Sequence, residues 1–181
     1  FGYDSRYREK INLLKSNNKK YLFYGSWDDQ REKVLQKLKL DNIDIYGNGW
    51  HNASKLFKTK NNIYYKDIFG QNLANKIKQY FAVININRPQ VRNAHNMRLF
   101  EVAGYGGLIV TKETHETLSF FKKNYEIITY KNFKELKIIL KNNIKLFKRN
   151  RIRKKCFKKS KFHSYLTRCE KILKIIKYEQ K

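Results

Sequence analysis

The chain reads as one α/β domain, a mostly parallel sheet with helices on both faces, followed by a basic helical C-terminal tail. Three observations predict this. Short apolar runs alternate with amphipathic helical stretches at close spacing, the pattern of right-handed βαβ units. The runs are closed by turn residues such as Gly25-Ser26, Gly47-Asn48-Gly49 and Asn87-Arg88-Pro89. From about residue 147 the alternation stops and Lys and Arg dominate. The 181 residues suffice for one full core and fall short of two.

In chain order, Phe1 to Tyr7 is polar, aromatic and turn-rich, and residues 1–18 read as a lead-in linker. Residues 20–24 form a compact aromatic strand. Gly25-Ser26-Trp27 then turns the chain, and Asp28-Asp29 opens a helix through Val34, Leu35, Leu38 and Leu40. Residues 42–46 give a second strand, residues 62–65 a third, and Leu73, Ile77 and Tyr80-Phe81 mark the next helix. Residues 82–86 are the strongest strand, ended by Asn87-Arg88-Pro89. Helix 96–104, strand 107–111, helix 114–122, strand 125–129 and helix 132–146 complete the domain, assigned to residues 19–146. Residues 147–181 are basic helices with a break near Ser160 to His163. Ligands of such sheets sit at the carboxyl ends of the strands, here the loops after Tyr24, Tyr46, Tyr65 and Ile86.

Forty-one Lys and Arg against fifteen Asp and Glu give a net charge of +26, which favours anionic partners and says nothing about fold. Residues 141–181 alone hold 16 Lys and Arg against 2 Asp and Glu. The run Lys148 to Lys155 suits nucleic acid or an acidic membrane surface. A solvated helix face under an AT-rich coding bias explains it as well, given the abundant Asn, Lys, Ile and Tyr. Nucleic acid is the weaker partner, because the aromatics fall at strand and core positions and not on a stacking platform. Cys156 and Cys169 are the only cysteines, so no disulfide framework is present and a reducing cytoplasm is expected. His51, His95, His115 and His163 form no spaced metal set. No apolar run approaches the roughly 20 residues of a membrane span, and no signal-peptide pattern opens the chain. Peripheral membrane attachment stays open.

The most informative stretch is Asn93 to Thr111. Asn96 is a good helix N-cap beside a loop holding Asn93 and His95. Arg98 and Glu101, three apart, share a helix face, and a glycine-rich exit leads into an apolar strand. A loop and helix start of this kind suits an anion, and the carboxylate suits a sugar diol. An Arg–Glu pair on a surface helix is the plainer alternative. Gly25, Ser26 and Arg31 follow the first strand, where backbone can approach a phosphate closely and Arg31 can reach back as a counter-charge; an ordinary βα turn with a solvated Arg is the plainer alternative. No nucleophile elbow, P-loop or spaced carboxylate pair is present, so no catalytic residue is assigned.

Together, Phe1-Gly2-Tyr3-Asp4, Leu22-Phe23-Tyr24-Gly25-Ser26 with Arg31, Ile45 to Trp50, and Asn96 to Glu101 with Gly106 to Thr111 resemble the donor half of GT-B glycosyltransferases. More narrowly they resemble the group 1 type related to spore maturation proteins. Glu126 to Tyr130 and His163 to Arg168 are similar to that pattern too, so the resemblance covers nearly the whole chain. It implies a Rossmann-like domain that binds a nucleotide-diphosphate sugar with neither metal nor other cofactor. Glu101 would bind the ribose hydroxyls, and Gly25, Ser26, Arg31 and Arg98, with the helix start at Asn96, would hold the diphosphate. Many relatives carry a second Glu eight positions before Glu101, against the donor sugar; here that residue is Asn93. The base is expected near the loop after Ile63-Tyr64-Tyr65. Phe1 to Asp4 matches the link between acceptor and donor domains, so an acceptor-binding domain, in the same or another chain, is the implied partner. The last helix, from Phe147 on, is expected to cross towards it and to be loosely placed here. Two other readings stand beside this one: a nucleic-acid or acidic-membrane-surface binding module, and a non-catalytic donor-domain scaffold, which Asn93 would suit.

Overall fold

A computed structural model describes residues 1–11, 20–40, 42–88, 90–91, 93–142 and 144–179. The strands are β1 (Tyr21–Tyr24), β2 (Ile43–Tyr46), β3 (Asn62–Tyr64), β4 (Ala82–Asn85), β5 (Ile109–Lys112) and β6 (Ile128–Tyr130). All pair in parallel, in the order β3-β2-β1-β4-β5-β6. The helices are α1 (Asp29–Leu38), α2 (Lys55–Lys60), α3 (Gly70–Gln79), α4 (Met97–Gly104), α5 (His115–Phe120), α6 (Phe133–Lys141), α7 (Leu146–Ser160) and α8 (Tyr165–Glu179).

Side chains alternate across a strand, so a sheet covered on both faces buries its inner strands throughout, as in β1, β2 and β4, while the edge strand β3 stays partly exposed. Tyr21 and Phe23 point into one layer with Leu35 and Leu38 of α1, Phe57 of α2 and Leu136 and Leu140 of α6. Leu22 and Tyr24 point into the other with Leu73 and Ile77 of α3, Phe100 and Val102 of α4, and Phe121. The strand order reverses between β1 and β4, and the crevice beyond their carboxyl ends is where such sheets bind ligands.

Several elements differ from expectation. The helix α2 is six residues long, too short to show a period, and is set by Ser54 accepting from Phe57 N and by Phe57 stacking on Trp50. The sixth strand starts at Ile128 because the residues before it are turn. Asn124 is left-handed, and Glu126 returns both its backbone N–H and its carboxylate to Lys122. The helix expected over 132–146 is two elements, with α6 ending at Lys141 and α7 starting at Leu146. Pro89, and residues 12–18 of the lead-in segment, lie outside the described residues.

The tail is helical, but its first half is core and not loosely placed. Arg149, Ile152, Arg153, Cys156 and Ser160 of α7 are buried. Arg149 donates to the carbonyls of Phe81 (2.5 Å) and Tyr80 (2.8 Å), and Arg153 to that of Gly106 (2.7 Å). Residues 1–11 are held down as well. The Tyr3 ring is pressed on Gly104, where any Cβ would overlap it, and Tyr3 O accepts from Tyr165 N at 3.0 Å. Arg8 donates to Tyr3 Oη, Ser160 Oγ and Phe157 O. From Cys169 to Tyr178 α8 is exposed, with Cys169, Ile172, Leu173 and Ile176 along one side and Lys171, Lys174 and Lys177 along the other.

Candidate functional site

Three strand-end loops meet beyond β1, β2 and β4. Gly25 N donates to Tyr46 O, Trp27 N to Asn48 O, and Trp50 Nε1 to Gly25 O. This packing is backbone on backbone. A Cβ on Gly47 would overlap Gly25 O, and one on Gly25 would overlap Nη2 of Arg98 and stand 2.9 Å from its Cζ. Both glycines also have positive φ, +144° and +148°, which L side chains rarely adopt.

The helix α4 brings two functional side chains to this junction. Arg98 Nε donates to Tyr24 O at 2.6 Å, and Tyr24 Oη donates to Glu101 Oε2 at 2.9 Å. Burial raises the Glu101 carboxyl above its usual range, against the Tyr24 hydrogen bond and the Arg98 charge. Burial also lowers the Arg98 guanidinium, and Arg88 adds to that. The alternative of a surface Arg–Glu pair therefore does not describe this helix, because both side chains turn inward to Tyr24.

Gly25, Ser26, Asn96, Arg98 and Glu101 line one cavity of about 380 Å³ together with Tyr46, Asp67, Ile68 and Phe69. Asp67 is fixed there by accepting from the backbone and side chain of Asn48. A second cavity, of about 310 Å³, shares Ser26, Asn96 and Arg98 with the first and adds Arg31 and Arg88. Arg31 is buried and bridges two loops, donating to Ile86 O and Ser26 O. Burial first, then the Arg98 and Arg88 charges, pulls it down to about 10. Among the described residues none of these three arginines has an ion pair within 4.0 Å. Three cations round one hollow, without an ion-pair partner among the described residues, can attract an anion.

Six of the seven residues singled out from the sequence thus fall in these two joined cavities. The seventh, Asn93, is exposed and lines a separate hollow of about 670 Å³ with Asn87, Arg88, Lys112 and Lys131. Asn96 stands at the N-cap of α4, but its side chain makes no cap hydrogen bond. It joins an amide cluster instead, donating to Asn85 Oδ1 (2.9 Å) and Asn87 Oδ1 (2.7 Å), while Asn85 donates to Thr111 Oγ1.

Sequence reasoning missed Tyr24 and Arg88; Ile68 and Phe69 lie in the loop after Tyr65, where the base is expected, but the sequence does not single them out by residue. Tyr24 was hidden inside an apolar strand pattern. Arg88 is signalled only by its place just after β4. In the tail, two of the six cations of residues 148–155, Arg149 and Arg153, are buried and spent on carbonyls; Lys148, Arg151 and Lys154 are exposed. No described helix is long and apolar enough to cross a membrane.

A family model described as glycosyl transferase-like matches residues 17–174. No curated protein matches the chain significantly. Among solved structures, a glycosyltransferase from Rickettsia africae ESF-5 superposes with a TM-score of 0.68 at 14% identity, over 99% of this chain and 56% of that one. TarM superposes with 0.64 at 15%, over 92% of this chain and 37% of TarM. The C-terminal domain of a group 1 family glycosyl transferase (LpcC) from Francisella tularensis superposes with 0.60 at 8%, over 88% of this chain and 97% of that domain. The chain therefore spans little more than half, or less, of the first two structures. None of these names carries the narrower spore-maturation likeness.

Proposed function

Because the chain belongs to the glycosyl transferase-like family and has the fold of a GT-B C-terminal domain, we propose that it binds a nucleotide-diphosphate sugar as glycosyl donor. The observation that carries this is the cluster of Arg31, Arg88 and Arg98, without an ion pair among the described residues, in a hollow that shares Ser26, Asn96 and Arg98 with the cavity of Glu101. The cavity with Tyr46, Ile68 and Phe69 suits a base and ribose, with Glu101 accepting from the diol. The arginine hollow suits the diphosphate. Asn93 lines a separate hollow that shares Arg88 with the arginine hollow, which leaves the sugar contact expected there to other residues.

In transfer, charge builds on the departing nucleoside diphosphate as the glycosidic bond breaks. Arg31 and Arg98, held on backbone carbonyls, and the α4 N-terminus stabilise it most at that point, with the exposed Arg88 beside them. The acceptor and the exclusion of water come from a second body, an acceptor-binding domain in the same or another chain. The likeness to a C-terminal domain, and to parts of two longer chains, supports that arrangement.

Calorimetric titration of UDP, GDP and their sugars against wild type and Glu101→Ala tests the reading. Binding by wild type that falls at least tenfold in Glu101→Ala is expected, the loss of a charged hydrogen-bond acceptor costing about 1.5–3 kcal/mol. A folded wild type that binds none of them at millimolar concentration would refute it.

A further inference from the structure

Arg98 and Glu101 lie on one face of α4, yet a single residue outside the helix holds both. The carbonyl of Tyr24 accepts from Arg98 Nε, and the phenol of Tyr24 donates to Glu101 Oε2. Tyr24 is buried at the end of β1, and the Arg98 guanidinium also lies 5.3 Å from its ring centroid. A carboxylate offers about four lone-pair sites. Tyr24 takes one and fixes the plane of the group, and Glu101 Oε1 has no protein partner among the described residues.

The geometry points to Tyr24 as the positioning residue for ribose recognition, its phenol fixing the Glu101 carboxylate and its carbonyl fixing Arg98 beside the diphosphate. This rests on the nucleotide-sugar reading of the site. A free glutamate on a helix samples several rotamers, and ordering it costs affinity at the moment of binding. Here that ordering is done in advance. The phenol also offsets desolvation. Burial disfavours the charged carboxylate, and Tyr24 and Arg98 are the two groups that favour it. The other titratable groups near Glu101 are Tyr105, just after α4, and Tyr46 and Asp67 in the lining of the cavity. Burial and the Glu101 charge raise the Tyr24 phenol well above its ordinary value, so it stays a donor across the working pH range.

Two measurements on the whole chain, wild type and Tyr24→Phe, test this. The first needs no nucleotide: the Glu101 carboxyl ¹³C shift followed against pH. Tyr24→Phe should move its midpoint up by about one unit, the size of one hydrogen bond to a charged group. An unchanged midpoint would overturn the assignment. The second is calorimetric titration of UDP and GDP and their 2′-deoxy counterparts from pH 5.5 to 8.5. Tyr24→Phe should bind the ribonucleotides about tenfold more weakly at pH 6.5 and the deoxy forms nearly as before, with Glu101→Gln losing ribose preference at every pH. Equal or tighter ribonucleotide binding, or a uniform loss for both sugars, would reduce Tyr24 to packing. Absence of any nucleotide binding by wild type would sink the donor reading, while the carboxyl titration still judges whether Tyr24 governs Glu101.

Discussion

Gly25 is the only residue type that fits beneath Arg98: a Cβ there would overlap the guanidinium, and the +144° φ is hostile to any side chain. Gly25→Ala should therefore cost about 2 kcal/mol of stability, read as a lower urea midpoint. It should also displace Arg98 and abolish calorimetric nucleotide binding. Retained affinity in a destabilised Gly25→Ala would show that Arg98 does not hold the ligand.

Glu101, the ribose contact of the proposed site, is buried at a cost to folding. Its carboxyl is raised in the folded chain, so it favours the folded state only where it is protonated, and that contribution is lost as pH rises through its folded value. At pH 7 it is a net burden. Glu101→Gln keeps an oxygen for the Tyr24 phenol and removes the charge, so it should melt higher than wild type at pH 7 while binding nucleotide more weakly. A lower melting temperature would contradict this account of its burial.

Arg149 is cationic in sequence and structural in place. It is fully buried and bonded to two backbone carbonyls at the start of β4, and burial, with Arg153 adding, lowers it to about 9. Arg149→Met leaves those carbonyls without their donor, and about 3 kcal/mol should be lost in urea unfolding. Arg151→Met on the exposed side of the same helix should change stability by less than about 0.5 kcal/mol.

His163 sets an acid limit. It packs against Phe100, Phe120 and Phe121 with Arg168 close by, and burial, with the cations Arg168, Lys159 and Lys171 and with His95, lowers it to about 4 from an ordinary 6.5. Between those values the unfolded chain binds the proton more readily, so stability falls as pH drops from 6.5 towards 4, by up to about 3 kcal/mol. His163→Phe should flatten the melting temperature across that window. An unchanged slope would assign the acid sensitivity to other groups.

The strand positions and the crevice they create were readable because short, buried parallel strands such as β1, β2 and β4 give compact, largely apolar runs ended by turn residues, glycine after β1 and β2 and Asn87-Arg88-Pro89 after β4. Boundaries were harder to read where side-chain chemistry, and not periodicity, decides them, as at Asn124 and Glu126 before β6. The site was readable where it departs from packing logic: Glu101 and Arg98 stand out on an otherwise apolar helix. Tyr24 does not stand out, since only its hydroxyl matters and the ring fits a core strand equally well. Nor does the inward turn of Arg149 and Arg153, because a basic run looks the same in sequence whether its cations face solvent or meet backbone carbonyls 47 to 69 residues away.

The two-sided surface of α8 has a colloidal consequence. Ile172, Leu173, Ile175 and Ile176 are each about half exposed, in a chain whose net charge is +26. In dilute salt that charge holds copies apart before their apolar stripes touch. At 0.15 M salt the repulsion decays over about 8 Å, and at 1 M over about 3 Å. Brine, the usual means of freeing a basic protein from polyanions, thus removes the barrier to self-contact. Light scattering of the isolated chain should rise with added sodium chloride, the reverse of what its charge alone would suggest.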